Sequence, residues 1–130
     1  MSLLYAKGAK LDGTAPCFIT GYGAYGYARD AGFNANSLSL ADRGFVYAIA
    51  HVRGGTDKGW RWYAGGKLAN KPNTFSDFIA ATEFLLAQKI ARPGAVVAHG
   101  GSAGGMMMGA IANLAPALYA GIIEIGRAHV

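Results

Sequence analysis

Short, unbroken apolar runs alternate along the chain with stretches in which apolar residues recur every three or four positions. Four runs read as strands: residues 2–6, 15–20, 45–52 and 95–98. The last three are continuously apolar, the pattern of strands covered on both faces. Residues 73–91 place Phe75, Phe78, Ile79, Thr82, Leu85 and Leu86 on one side of a helix, with Thr74 as its cap and Asp77 as a first-turn acid. Arg92-Pro93-Gly94 then ends it. A second helix is expected over residues 103–114, closed by Pro116. Strands alternating with helices imply an α/β domain: a mostly parallel sheet with helices on both faces. Residues 53–71, rich in Gly, Trp and Lys, read as one long loop, and such loops are more often functional or partner-contacting than idle.

Composition narrows this picture. With 130 residues the chain is one domain at most, and its 52% hydrophobic against 15% charged residues suit a piece of something larger. No run approaches the ~20 apolar residues of a membrane span, and no export signal opens the chain. The single Cys17 lies in a strand and is expected to be buried, which fits a reducing, cytoplasmic setting. The net charge of +5 comes from scattered lysines and arginines without a basic stripe, so neither nucleic acid nor a membrane is expected as a partner.

Two glycine-rich turns carry the chemistry. GYGAYG, residues 21–26, follows a strand and satisfies G-x-G-x-x-G, the pattern that lets a backbone approach a dinucleotide pyrophosphate. That use needs an acidic residue ~20 positions on, at the end of the next long strand. This strand ends instead in His51-Val52-Arg53, and Tyr22 and Tyr25 crowd the loop. No cofactor and no metal are expected; the loop is left to offer a phenol to an oxyanion. The second turn, His99-Gly100-Gly101-Ser102-Ala103-Gly104-Gly105, sets G-x-S-x-G between a strand and a helix. Small flanking residues let strand and helix meet at a sharp corner, which pushes the serine oxygen outward. The N–H of Ala103 then points where a tetrahedral oxyanion would form. Ser102 is therefore the candidate nucleophile. His99 and His51 precede the serine, whereas the order in this architecture is Ser, Asp or Glu, then His, so neither is taken as its base.

These residues carry a resemblance. GYGAYG (21–26), LADRGFVYAIAHVRGG (40–55), GWRWYAGGK (59–67), NTFSDFIA (73–80) and GGSAGGMMMGAIAN (100–113) stand in the order and spacing of the catalytic domain of the prolyl oligopeptidase family of serine peptidases. The oligopeptidase B branch is the most similar. The resemblance covers nearly all of residues 2–123 and implies a truncated α/β-hydrolase fold. It implies Ser102 as nucleophile, Ala103 N–H and the Tyr22 hydroxyl as oxyanion donors, and Tyr25 as an aromatic near the first substrate subsite. Arg53-Gly54-Gly55 is read as a structural turn. Family members cut short peptides, after proline or after basic residues, behind a β-propeller; the NTFSDFIA and HVRGG wording leans to the basic-specific branch.

The chain also departs from the family. The Asp and His that complete the triad follow the serine by many tens of residues there, and here only residues 103–130 follow Ser102. The β-propeller is outside the chain as well. Residues 1–123 are thus expected to be a partial catalytic domain, inactive by itself. Residues 124–130, EIGRAHV, are expected to be non-native: they translate the start of a common short-read sequencing adapter, which would remove Arg127 and His129 from any catalytic role. Two other readings use the same features: an esterase or lipase with the shared serine corner, or a non-catalytic binding module built on the aromatic loop at residues 60–63.

Overall fold

The computed structural model describes residues 1–126. Its centre is one five-stranded sheet formed by β1 (Ser2–Leu4), β2 (Cys17–Thr20), β3 (Val46–Ile49), β4 (Val96–Gly101) and β5 (Gly121–Ile125), in the order β1-β3-β2-β4-β5. β1 runs antiparallel to β3, and all other pairs are parallel. Parallel neighbours need crossovers, which α1 (Ala35–Asp42), α3 (Pro72–Ala87) and α4 (Ala103–Leu114) provide; a one-turn helix, α2 (Trp60–Ala64), lies in the connection before α3. The α/β architecture with a mostly parallel sheet is as the residue pattern predicts. No helix among the described residues is long and apolar enough to cross a membrane.

Register places Cys17, Val46 and Val96 side by side, and Ile19, Ala48 and Ala98 one pleat further on. These six are fully or almost fully buried, under Phe78 and Leu85 of α3 and Met107, Met108 and Ile111 of α4. Burying a side chain of that size contributes about 1.5–3 kcal/mol, so this face is the main source of stability. The opposite face differs from expectation. α1 covers it only beside β1 and β3, and the adjacent row Phe18, Tyr47 and Val97 is half-buried, with Phe18 and Tyr47 stacked at 5.8 Å. Continuous apolar runs thus overstate how far both faces are covered within this chain.

Several boundaries move. β4 continues to Gly101, three residues past the expected end, and its parallel ladder with β5 carries it there. α3 begins at Pro72 and ends at Ala87, with Lys89 in the left-handed region at φ 55°. Thr74 is not its cap and Asp77 is not a first-turn acid. The Thr74 hydroxyl donates to Arg53 O at 2.8 Å, and Asp77 accepts from Arg53 through Nε, Nη2 and the backbone N–H. Both residues serve tertiary contacts with Arg53, which propensity at a helix start does not reveal.

Cys17 is buried as expected, and burial pushes its thiol up to about 12. Since the thiolate is the reactive form, Cys17 should resist iodoacetamide at pH 8 in the native full-length protein and react once denaturant is added. Peptide mapping by mass spectrometry checks this; fast native alkylation would contradict the burial.

Candidate active site

β4 passes into α4 through one residue, Ser102, whose backbone sits at φ 53° and ψ −116°. A side-chain-bearing residue held there costs about 1–3 kcal/mol, so the surrounding contacts must enforce the corner. They are identifiable. A Cβ on Gly100 would lie 2.3 Å from Gly104 O, and one on Gly104 would lie 2.8 Å from Gly21 O. Gly101 is different, because its Cβ would meet only Ile125 at 3.7 Å, ordinary contact. Gly105 is intermediate, with Ile125 O at 3.2 Å. The four glycines that look equivalent in sequence therefore divide into two that the corner requires and two that it constrains less. The Ser102 N–H donates to Ile125 O at 3.0 Å, which ties the corner to β5. The serine itself is exposed.

Ala103 opens α4 and is buried. Its N–H belongs to the first turn, where amides have no intrahelical acceptor and the helix dipole favours negative charge. The GYGAYG loop arrives at the same place. Gly21 packs so closely on Met107 and Phe78 that a Cβ there would lie 2.9 and 3.1 Å from them. The Cα of Tyr22 is 3.6 Å from the Cβ position of Gly104. Tyr22 is half-buried and shares ring contacts with Tyr25 at 6.5 Å and Tyr27 at 5.5 Å. Tyr25 has φ 56° and is 73% exposed, a left-handed aromatic at a loop tip. Beside it lies a cleft of about 490 Å³ whose lining includes Tyr25, Tyr63, Lys67, Lys71, Ala103 and Met106. The fold thus gathers Ser102, Ala103, Tyr22 and Tyr25 at the C-terminal ends of the neighbouring strands β2 and β4.

The two histidines bond elsewhere. His99 Nδ1 is 3.2 Å from Thr20 Oγ1, and its ring packs on Phe18 at 5.5 Å; burial, then the charge of Arg29, lowers its pKa. His51 is bracketed by Ser2 Oγ at 2.8 Å and Asp57 Oδ1 at 2.9 Å. That order of groups copies a catalytic relay, but Ser2 lies on the regular edge strand β1, and the chain of bonds ties that edge to the loop after β3. His129 and Arg127 lie outside the described residues.

The residues 53–55 do more than turn the chain. A Cβ on Gly54 would lie 2.1 Å from Gly23 O, and Gly26 N–H donates to Gly54 O at 3.0 Å. The Arg53 guanidinium, held by Asp77 and raised in pKa by that hydrogen bond, anchors this support under the Tyr22 loop. Sequence reasoning missed the connection because residues 23, 54 and 77 are far apart in the chain. Its trace was the clustering of glycines in both segments.

The Prolyl oligopeptidase family profile matches residues 31–126, and the chain belongs to that family. It is 47% identical over 125 residues to dipeptidyl aminopeptidase BI of Pseudoxanthomonas mexicana, covering 96% of this chain and 17% of that protein. It is 45% identical to Protease 2 of Moraxella lacunata, covering 95% and 18%. Among solved structures, oligopeptidase B from Leishmania major superposes with a TM-score of 0.87 at 45% identity, covering 90% of this chain and 16% of that one. Oligopeptidase B from Trypanosoma brucei, solved with covalently bound antipain, gives 0.89 at 42% identity, covering 92% and 17%. The chain therefore spans less than a fifth of the length of these relatives.

The division among the glycines is testable. In the full-length protein, Gly100→Ala should abolish fluorophosphonate labelling of Ser102, since the added methyl cannot coexist with Gly104 O. Gly101→Ala should keep most of it. Equal loss in both variants, read by intact-mass spectrometry, would contradict the assignment.

Proposed function

We propose that this chain forms the centre of the catalytic domain of a serine oligopeptidase that hydrolyses short peptides through an acyl-enzyme. The observation that carries the reading is the backbone of Ser102, a serine in the left-handed region at the exposed end of a parallel strand, directly before a helix. In the proposed reaction Ser102 Oγ attacks the scissile carbonyl while a histidine supplied by the rest of the protein takes its proton. The Ala103 N–H and the Tyr22 hydroxyl receive the developing oxyanion, where donors stabilise the transition state more than the neutral carbonyl. The covalently bound antipain of the Trypanosoma brucei relative supports a covalent route.

Tyr25 would contact the substrate near the scissile bond. Cleavage after basic residues is proposed from the resemblance of residues 51–55 and 73–80 to the basic-specific branch. Lys67 and Lys71 line the cleft beside Tyr25, and the carboxylates that would read a basic side chain are assigned, from the resemblance to the basic-specific branch, to other parts of the full-length protein. A β-propeller and the triad Asp and His are likewise assigned to other parts of the full-length protein. Residues 1–123 would then be a partial domain, and 124–130 an adapter-derived tail; the β5 ladder accepts Glu124 and Ile125 through backbone bonds, which any residue but proline could make. The nucleotide record tests the tail directly, and a coding sequence unlike the adapter under those codons would end that part of the proposal.

In the full-length enzyme, Ser102→Ala should remove labelling by organophosphate-type reagents and lower peptide turnover by about 10⁶. Tyr22→Phe should lower kcat by about 10² with little change in KM, because the hydroxyl acts chiefly in the transition state. Retained labelling in the first variant, or a dominant KM rise in the second, would reassign those roles. The 130-residue chain alone should aggregate or bind hydrophobic dyes and show no hydrolysis above background, given its half-covered sheet face. A monomer with a cooperative thermal transition would contradict that expectation.

A further inference from the structure

Lys71 precedes α3 with helical backbone angles, φ −54° and ψ −35°, so its stem is fixed by a sixteen-residue helix packed into the core. Its Nζ donates to Gly23 O at 2.5 Å. That carbonyl belongs to the Gly23–Ala24 peptide, one residue beyond Tyr22, and Gly23 is buried. The peptide is enclosed on its other sides. Gly54 lies against the carbonyl oxygen, and a Cβ on Gly23 would meet Thr74 Cγ2 at 2.3 Å and Val52 Cγ2 at 2.7 Å. A buried carbonyl needs a donor, and a charged donor forms a stronger bond than a neutral one. Burial lowers the Lys71 pKa, and Nζ stands 6.0 Å from the centre of the Phe75 ring.

We infer that Lys71 is a positioning residue: its ammonium, anchored on α3, holds the Gly23 carbonyl and so sets where the adjoining Tyr22 hydroxyl stands over Ser102. The inference rests on the proposed oxyanion role of Tyr22. The chemistry demands such a device. The loop has glycines on both sides of Tyr22, with Gly23 at φ 69°, and so has little stiffness of its own. A donor displaced by 1 Å can lose about 10²-fold in rate. Steric walls at Val52, Gly54 and Thr74 stop the loop moving inward, and the Lys71 bond stops it lifting away.

A double-mutant cycle in the full-length peptidase tests this. Lys71→Met should lower kcat roughly 10- to 100-fold with KM changed less than about twofold. In a Tyr22→Phe background the same change should alter kcat less than about threefold, since the hydroxyl it positions is gone. Lys71→Arg, which keeps a charged donor, should recover part of the rate. Equal losses in both backgrounds would make Lys71 a general structural residue and overturn the inference. A rise in KM would also overturn it, because Lys71 would then bind substrate in the adjoining cleft. If Tyr22→Phe alone leaves kcat unchanged, the oxyanion reading fails first and the inference with it. Should Lys71→Met prove insoluble, Lys71→Gln, one bond shorter than lysine, reads the same coupling.

Discussion

At Gly104 the helix after Ser102 touches the loop after β2, and the site depends on that contact. The Gly21 carbonyl lies where a side chain at 104 would begin, and Tyr22 Cα stands just beyond it. Any residue larger than glycine would separate the nucleophile corner from the tyrosine loop. The same helix turn closes on Gly100, so one short backbone segment fixes both the strained serine and its distance to the aromatic loop. Packing beneath makes the contact rigid: Met107 and Phe78 hold Gly21 from below, and both are fully buried. The core face of the sheet therefore stabilises the domain and also sets the relative position of two loops that are eighty residues apart.

Around this contact lies a polar frame. Asp77 holds Arg53, Thr74 holds the Arg53 carbonyl, Gly54 backs Gly23, and Lys71 closes the arrangement. Each of these residues presents a fixed group to a loop backbone, and none lies on the sheet. An exposed serine at a strained corner needs support of this kind, because its own conformation is unfavourable and the loop opposite is rich in glycine.

Much of this was legible in the residue pattern. The apolar runs at β2, β3 and β4, the three-to-four spacing of α3 and the stretch of residues 103–114 closed by Pro116 identify the parallel α/β sheet, and the glycine-flanked serine marks the corner. α1 was not legible: only Ser37 and Ala41 of its eight residues are buried, so no apolar stripe announces it, and its start depends on the Asn34 side chain capping Asn36 N–H. α2 buries no residue at all and was absorbed into the loop reading. Thr74 and Asp77 were assigned by local helix-start chemistry, yet their partners lie more than twenty residues away. Patterns of period report what a segment buries, and they are silent about polar groups that act at a distance along the chain.

In the proposed site the Ala103 N–H and the Tyr22 hydroxyl face one point above Ser102. A crystal structure of the full-length enzyme with a peptide aldehyde bound to Ser102 tests it most directly. The hemiacetal oxygen should lie about 2.7–3.1 Å from both Ala103 N and Tyr22 Oη. An oxygen turned to solvent, or one bonded to donors other than these two, would contradict the account.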